Sequence, residues 1–151
     1  MKYLIVSAHP DDETLGCGGM IYNLIKKNNE VSICFLCGNA EARKISNNKL
    51  SIKEQAINSL KIFGVENITF GDFPNIKFNT IPHLDIVKYI EKSIIDNEPD
   101  VVITHYPNDI NSDHKITSEC CDEAIRYFQR NERVKEIKNI CTWRYYLQQI
   151  G

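Results

Sequence analysis

Residues 2–13 read Lys-Tyr-Leu-Ile-Val-Ser-Ala-His-Pro-Asp-Asp-Glu, an apolar run that passes directly into a polar cluster. The run at 2–8 is continuous and partly β-branched, which is typical of a strand buried on both faces of a parallel sheet. The cluster at 9–13 holds one imidazole and three carboxylates, a combination that no structural role requires. Because open α/β sheets bind ligands at the carboxyl ends of their strands, we expect a functional site directly after this strand.

Strand-like and helix-like patterns alternate along the rest of the 151 residues. The patterns predict strands at 2–8, 30–37, 66–71 and 100–104, and helices at 14–27, 49–63, 83–97 and 114–130. Gly64 lies where the C-cap of the second helix is expected. An alternating β–α order is typical of a parallel sheet with helices packed on it. We therefore predict a single Rossmann-like α/β domain.

Composition argues against several classes of protein. The chain is 42% hydrophobic and 25% charged, with a formal net charge of −2, which is not the basic footprint of a nucleic-acid-binding protein. No apolar run approaches the roughly 20 residues of a membrane span, and the N-terminus lacks the long apolar region of a signal peptide. We expect a cytoplasmic protein. Most of the six cysteines lie in apolar stretches and are expected to be free thiols, and no role is assigned to the Cys34-x-x-Cys37 pair.

The residues of the first polar cluster are suited to metal chemistry. Zinc binds His and carboxylate ligands, and catalytic sites commonly offer three of them. His9 and Asp12 lie three residues apart, where a strand turns into a helix, so both side chains can reach one point. Asp11 is then the candidate general base for a water molecule next to the metal. For Glu13 we favour a structural role, as a carboxylate at a helix N-terminus.

A second polar cluster, residues 104–114, also follows a predicted strand, so the two clusters are expected to meet at one edge of the sheet. His114 is the best third ligand in this cluster; the alternative is a surface residue in the first turn of a helix. Asp113 is expected to cap that helix and to orient the His114 imidazole.

Four further polar residues have less decisive surroundings. His105 either lines the pocket or packs in the turn that follows its strand. Asp109, Asn111 and Arg43 are polar enough to contact a substrate, and the Arg43 guanidinium suits an anionic group. Gly16-x-Gly18-Gly19 is similar to a dinucleotide-binding loop, but acidic residues occupy the turn where phosphates would lie. These glycines are instead expected to let the first helix pack closely on the sheet.

The motifs together resemble the PIG-L (LmbE-like) family of zinc-dependent deacetylases. The similarity lies in Ala-His-Pro-Asp-Asp-Glu at 8–13, Leu-Gly-x-Gly-Gly at 15–19 and Asp-His at 113–114, within a resemblance that covers residues 1–138. It implies zinc, or another divalent metal, held by His9, Asp12 and His114, with Asp11 as the base. It also implies removal of the acetyl group from an N-acetylglucosamine-type sugar or glycoconjugate. The alternative is a truncated pseudoenzyme that keeps the metal site but does not hydrolyse.

The chain departs from the family pattern at two places. Many members have an imidazole where Asn111 stands; an amide can donate a hydrogen bond to an oxyanion but cannot transfer a proton. Members also continue into a strand with a motif like E-V-x-S-S-T-x-W. One choice of codons for the tail from residue 140, read in another frame, encodes M-Y-V-E-V-L-S-S-T-D-W. We therefore expect a domain at 1–138 and an atypical, out-of-frame tail at 139–151. The oligomeric state stays open.

Overall fold

The computed structural model describes residues 1–39, 51–130, 137 and 139–143 of the chain. The four predicted strands are confirmed, with ends shifted by one or two residues, as β1 (Lys2–Ser7), β2 (Glu30–Phe35), β3 (Asn67–Phe70) and β4 (Val101–His105). The four predicted helices are also present, as α1 (Asp12–Lys26), α2 (Ile52–Phe63), α3 (His83–Asn97) and α4 (Ser112–Arg130). A 3₁₀ turn at Phe78–Thr80 precedes α3, and a further strand, β5 (Asn139–Trp143), follows α4.

The described strands form one parallel sheet in the order β3-β2-β1-β4-β5. The chain moves outward from β1 to β2 and β3, and then returns to place β4 on the other side of β1. The strand order therefore reverses between β1 and β4, and at such a point the crevice beyond the carboxyl ends of the strands is available to a ligand. His9 and His114 follow these two strands.

The alternation of side chains along β1 divides the core into two layers. Leu4 and Val6 belong to a buried cluster with residues of α3 and α4, such as Ile90 and Ala124. Ile5 belongs to a second cluster, with residues of α1 and α2. Because successive strand side chains point to opposite faces, a strand covered by helices on both sides must be apolar throughout. This explains why the run at 2–8 shows no polar alternation.

The ends of α2 follow local sequence signals. Ser51 and Glu54 form a capping box, in which the Ser51 hydroxyl accepts the Glu54 N–H and the Glu54 carboxylate accepts the Ser51 N–H. Gly64 ends the helix with φ 86°, a left-handed conformation in which a Cβ would be strained, and so confirms the predicted C-cap. Among the described residues, no helix has the length and apolar character needed to cross a membrane.

The sequence predicts no strand in the tail, and the structure places β5 there. Asn139–Trp143 pairs in parallel with β4 along its whole length, from Val101↔Asn139 to His105↔Trp143. Four of its five residues are exposed, and only Trp143 is buried, against the α1 side of the sheet. Residues 144–151 lie outside the described part of the chain, and the out-of-frame origin of 139–151 stays a prediction.

Candidate metal centre

The turn between β1 and α1 carries the first half of the site. The His9 backbone N–H donates a hydrogen bond to Asp12 Oδ2 over 2.9 Å, so the first residue of α1 holds the turn before it. Asp11 has φ 115° and ψ −27°, in a region that non-glycine residues rarely adopt. The two adjacent carboxylates lie in different environments, because Asp12 is buried and Asp11 is exposed.

The Asp12 carboxylate lies at the centre of three imidazoles. Asp12 Oδ2 is 3.4 Å from His9 Nδ1 and 3.4 Å from His105 Nε2. Asp12 Oδ1 is 3.3 Å from His114 Nε2. The two polar clusters therefore meet at one edge of the sheet, as the alternating pattern of strands and helices predicts.

His9, Asp12 and His114 form a group that could hold a metal ion. Each offers one ligand atom, and these atoms lie within 4.8 Å of one another. Metal–ligand bonds of about 2.0–2.2 Å place tetrahedral ligand atoms about 3.3–3.6 Å apart. His9 Nδ1 lies 3.4 Å from Asp12 Oδ2 and His114 Nε2 lies 3.3 Å from Asp12 Oδ1, so each imidazole has one carboxylate oxygen at that spacing. Two imidazoles and one carboxylate also suit zinc chemically, so these residues fit a divalent cation.

Burial and charge act in opposite directions on these groups. Burial lowers the pKa of His9, but its hydrogen bonds to Asp113 and Asp12 outweigh burial and raise the pKa to about 9. Burial raises the pKa of Asp12, but its hydrogen bonds with His114 and His9 outweigh burial and hold the pKa well below the usual range. Asp12 is therefore an ionised carboxylate, kept so by the imidazoles around it.

Two carboxylates orient the imidazoles, and the structure corrects the predicted pairing. It is Asp109 Oδ2 that lies 3.3 Å from His114 Nδ1. Asp113 Oδ2 instead lies 3.0 Å from His9 Nε2. The prediction that Asp113 caps the helix is also wrong, because α4 begins at Ser112 and Asp113 lies inside its first turn. From there its carboxylate contacts His9 and the backbone N–H groups of Ile76 and Phe78.

Asp113 also joins the site to the segment after β3. Its Oδ2 accepts the Ile76 N–H over 2.8 Å, and its Oδ1 accepts the Phe78 N–H over 3.1 Å. The carboxylate has no exposed surface, so these donors and His9 replace the water it loses on burial. The Phe78 ring lies 5.7 Å from the His9 ring. The buried Asp113 side chain thus fixes both His9, a candidate ligand, and the backbone at Ile76 and Phe78.

His105 lies within the site but is closed to solvent: its Nε2 is 3.4 Å from Asp12 Oδ2, and with Asp109 and His114 it forms a second group that could hold a metal ion. The side chain has no exposed surface, and Nε2 accepts the Ala8 N–H over 2.9 Å. Its ring stacks on the His114 ring at 4.0 Å and lies 4.7 Å from the Trp143 ring. Burial lowers the pKa of His105 to about 3, so the imidazole is neutral. Of the two alternatives left open by the sequence, the structure favours packing, and substrate contact by His105 is corrected on grounds of burial.

Asn111 occupies the capping position that the sequence assigns to Asp113. Its side-chain Oδ1 accepts the Asp113 N–H over 2.9 Å, and its backbone carbonyl accepts the Lys115 N–H over 3.2 Å. Asp109 Oδ1 accepts the Asn111 N–H over 2.9 Å, and Asp109 is itself buried. Asp109 therefore supports the His114 ring and the Asn111 N–H. Its predicted direct contact with a substrate does not fit its burial.

Three other predictions about side chains have different outcomes. Arg43 lies outside the described residues, so its contact with substrate stays a prediction. Cys34 and Cys37 are fully buried free thiols, and burial raises the pKa of each, as expected for unreactive cysteines. Gly16 faces Trp143 so closely that a Cβ would overlap the indole ring, which confirms close packing there. Trp143 was missed because it follows a stretch with no clear strand pattern.

A cleft of about 500 Å³ opens beside Asp11. It is lined by the start of α1 and by one face of α2: Pro10, Asp11, Glu13, Thr14, Leu15, Ile52, Gln55, Ala56 and Ser59. Asp11 therefore borders a space that is large enough for a small molecule.

A parallel sheet with imidazoles and carboxylates at its switch point defines a Rossmann-like α/β domain with a candidate site for a divalent metal. Within that class, a family model described as GlcNAc-PI de-N-acetylase (PIG-L) matches residues 4–125. The chain belongs to this family. The match confirms the resemblance based on the motifs at 8–13 and 113–114.

Individual relatives have low sequence identity to this chain. A protein of Bacillus subtilis named probable N-acetyl-alpha-D-glucosaminyl L-malate deacetylase 2 is 24% identical over an alignment of 157 positions, which covers 91% of this chain and 65% of the relative. The N,N'-diacetylchitobiose deacetylase structure from Pyrococcus horikoshii has a TM-score of 0.78 at 20% identity and covers 96% of this chain and 61% of that one.

A third relative has the same fold and a different name for its activity. GalB, the 4-carboxy-2-hydroxymuconate hydratase from Pseudomonas putida, has a TM-score of 0.72 at 22% identity, covering 93% of this chain and 62% of that one. The chain thus spans 61–65% of the length of these three proteins. At these identities the likeness to the two solved structures shows the fold alone, and fold does not determine the reaction.

Proposed function

We propose that this chain is a zinc-dependent hydrolase that removes the acetyl group from an N-acetylglucosamine-type sugar or glycoconjugate. One observation carries the proposal: ligand atoms of His9, Asp12 and His114 lie within 4.8 Å of one another, and the exposed residue Asp11 directly precedes Asp12 in the chain. Membership of the PIG-L family supports the reaction class. The names of the Bacillus subtilis and Pyrococcus horikoshii relatives support an N-acetylated sugar as the substrate class.

The proposed metal ligands are His9, Asp12 and His114. A divalent cation held there supplies Lewis-acid chemistry and makes a nearby water more acidic. Asp109 and Asp113 keep the two imidazoles in fixed orientations through contacts of 3.3 Å and 3.0 Å. Carboxylates in this role strengthen imidazole ligands and set which ring nitrogen is available.

Asp11 is the proposed general base. Partial loss of solvation and the neighbouring negative charge of Asp12 raise the pKa of Asp11 and outweigh the lowering by His9 and His114, which makes Asp11 a better proton acceptor than an ordinary carboxylate. Asp11 takes a proton from the water that attacks the acetyl carbonyl carbon. It returns this proton to the amine nitrogen as the amide C–N bond breaks. The products are acetate and a free amino sugar.

Asn111 is the proposed donor to the carbonyl oxygen of the acetyl group. Because its Oδ1 accepts the Asp113 N–H at the start of α4, the orientation of the amide is fixed. The Nδ2 group then donates a hydrogen bond as negative charge develops on the substrate oxygen. Arg43, which follows β2 in the sequence and lies outside the described residues, is proposed to contact an anionic part of the substrate.

An assay of acetate release tests the proposal directly. The zinc-loaded chain is incubated with N,N'-diacetylchitobiose and with N-acetylglucosaminyl malate, and acetate and bound metal are both quantified. We expect acetate release that is abolished in Asp12→Ala, which also loses the metal. Bound zinc without acetate on either substrate would favour the alternative, a non-catalytic protein that keeps the metal site.

The remaining partner and location assignments are also proposals. We propose a cytoplasmic protein that acts on a small molecule and does not bind nucleic acid, in line with its net charge of −2.

A further inference from the structure

The backbone at Asp11 is unusual even among the left-handed residues of this chain. Among the described non-glycine residues, Asn28, Ile76 and Glu98 have φ of 56°, 58° and 45°, whereas Asp11 has φ 115°. The first three are close to the left-handed helical value of about +57°. Asp11 lies far from that well, and such a conformation persists only where surrounding groups hold it.

Side-chain carboxylates accept both backbone N–H groups of this turn. The His9 N–H goes to Asp12 Oδ2 over 2.9 Å, and the Asp11 N–H goes to Glu13 Oε2 over 3.1 Å. Pro10, between them, has no N–H to donate. On the carbonyl side, the Leu15 N–H donates to Asp11 O over 2.9 Å and joins the turn to α1. The hydrogen bond to Glu13 is thus the contact that fixes the amide of the candidate base.

Glu13 is built to make this contact. Its side chain is 1% exposed, although it carries a carboxylate and lies in the first turn of a helix. Its second oxygen, Oε1, accepts the Thr14 hydroxyl over 2.6 Å. A carboxylate that only interacts with the helix dipole can stay in water, so its burial calls for another role.

We propose that Glu13 is a positioning residue, which holds the left-handed turn at Asp11 by accepting the Asp11 N–H and so sets the position of the Asp11 carboxylate relative to the candidate metal centre. The inference rests on the proposed function, in which Asp11 is the base. Without this acceptor the peptide before Asp11 relaxes towards an ordinary φ. The carboxylate then moves away from its position relative to His9, Asp12 and His114.

The pair Glu13→Ala and Glu13→Gln tests the proposal. Glu13→Gln removes the charge but keeps an acceptor for the Asp11 N–H, whereas Glu13→Ala removes both. We expect kcat to fall by roughly 10–100-fold in Glu13→Ala, as for a misplaced catalytic group. KM and zinc content stay at the wild-type values. In Glu13→Gln, kcat stays close to wild type.

Amide hydrogen exchange provides a readout that does not depend on activity. The Asp11 amide is expected to be protected in the wild type and in Glu13→Gln, and to lose protection in Glu13→Ala. If Glu13→Ala does not fold, Thr14→Val takes its place: losing the hydroxyl that holds Glu13 Oε1 should give a smaller change in the same direction. Ile94→Ala is the control, because Ile94 is buried near the far end of α3, at the opposite edge of the sheet. It should lower stability and leave kcat per bound zinc unchanged.

Three results would overturn the proposal: wild-type kcat in Glu13→Ala, an Asp11 amide still protected in that variant, or equal losses of kcat in the Ala and Gln variants. The last would assign the effect to charge. If the wild type releases no acetate, the proposed function fails, and hydrogen exchange still decides whether Glu13 holds the turn.

Discussion

The substitution Asp11→Asn removes the proposed general base and is expected to keep the fold and the metal ligands of the site. The Asp11 side chain is exposed, and its backbone has φ 115°. Asn is, with Asp, among the non-glycine residues that best tolerate positive φ, so the exchange changes the charge and leaves the shape of the turn. It also removes a negative charge next to Asp12. We therefore expect folding and zinc binding to persist.

The size of the expected effect follows from the role of the carboxylate. A positioned general base contributes about 10²–10⁴-fold in rate, so kcat should fall by that factor, equivalent to about 3–5 kcal/mol in the barrier. Stability should change by no more than about 0.5 kcal/mol, or about 2 °C in Tm for a chain of this size.

The assay measures acetate release, bound zinc and thermal unfolding on the same preparations. Asp96→Asn is a matched control, because Asp96 is an exposed carboxylate on α3 that pairs only with Lys92 among the described residues. It should match the wild type in all three measurements. Wild-type rates of acetate release in Asp11→Asn would show that Asp11 is not the base and would refute the reasoning from its environment.

Three further predictions concern metal, packing and orientation. Chelation should lower the Tm of the zinc-loaded chain, because a ligand present at 100 times its Kd stabilises the folded state by about 2.7 kcal/mol; an unchanged Tm would argue against a folded-state metal site. Gly16→Ala should destabilise by about 1–3 kcal/mol and shift the emission of Trp143, the single tryptophan, because the new Cβ overlaps its ring. Gly19→Ala, which meets nothing within 4 Å, should be neutral or stabilising, and equal effects of the two would contradict the packing argument. Asp109→Asn should weaken zinc affinity by roughly 10–100-fold by freeing the His114 ring. Titration with a competing chelator measures this affinity, and an unaltered value would contradict the role of Asp109.

The alternation of strands and helices could be predicted from the sequence because it depends on local patterns. The apolar run at 2–8, the Gly64 cap and the helical spacing at 83–97 each have their cause within one segment. The strand in the tail could not be predicted in this way, because four of the five residues of β5 are exposed and the strand is defined by its pairing with β4. An edge strand of that kind carries little hydrophobic signal of its own.

The sequence by itself determined that His9, Asp12 and His114 would lie at one edge of the sheet. The physical reason is that parallel strands end on the same side, so residues that follow neighbouring strands must come together. Sequence also identified which residue types could serve as metal ligands and as a base, because those types are set by chemistry and not by position in space.

Tertiary structure alone decided the finer pairing. Whether Asp109 or Asp113 reaches His114 depends on where α4 begins and how it is rotated against the sheet, since one residue of offset turns a helical side chain by about 100°. The burial of His105 depends on Trp143, which reaches it from the neighbouring strand. The left-handed turn at Asp11 depends on a hydrogen bond to Glu13. Directions of side chains follow from packing across the whole domain, which no local pattern contains.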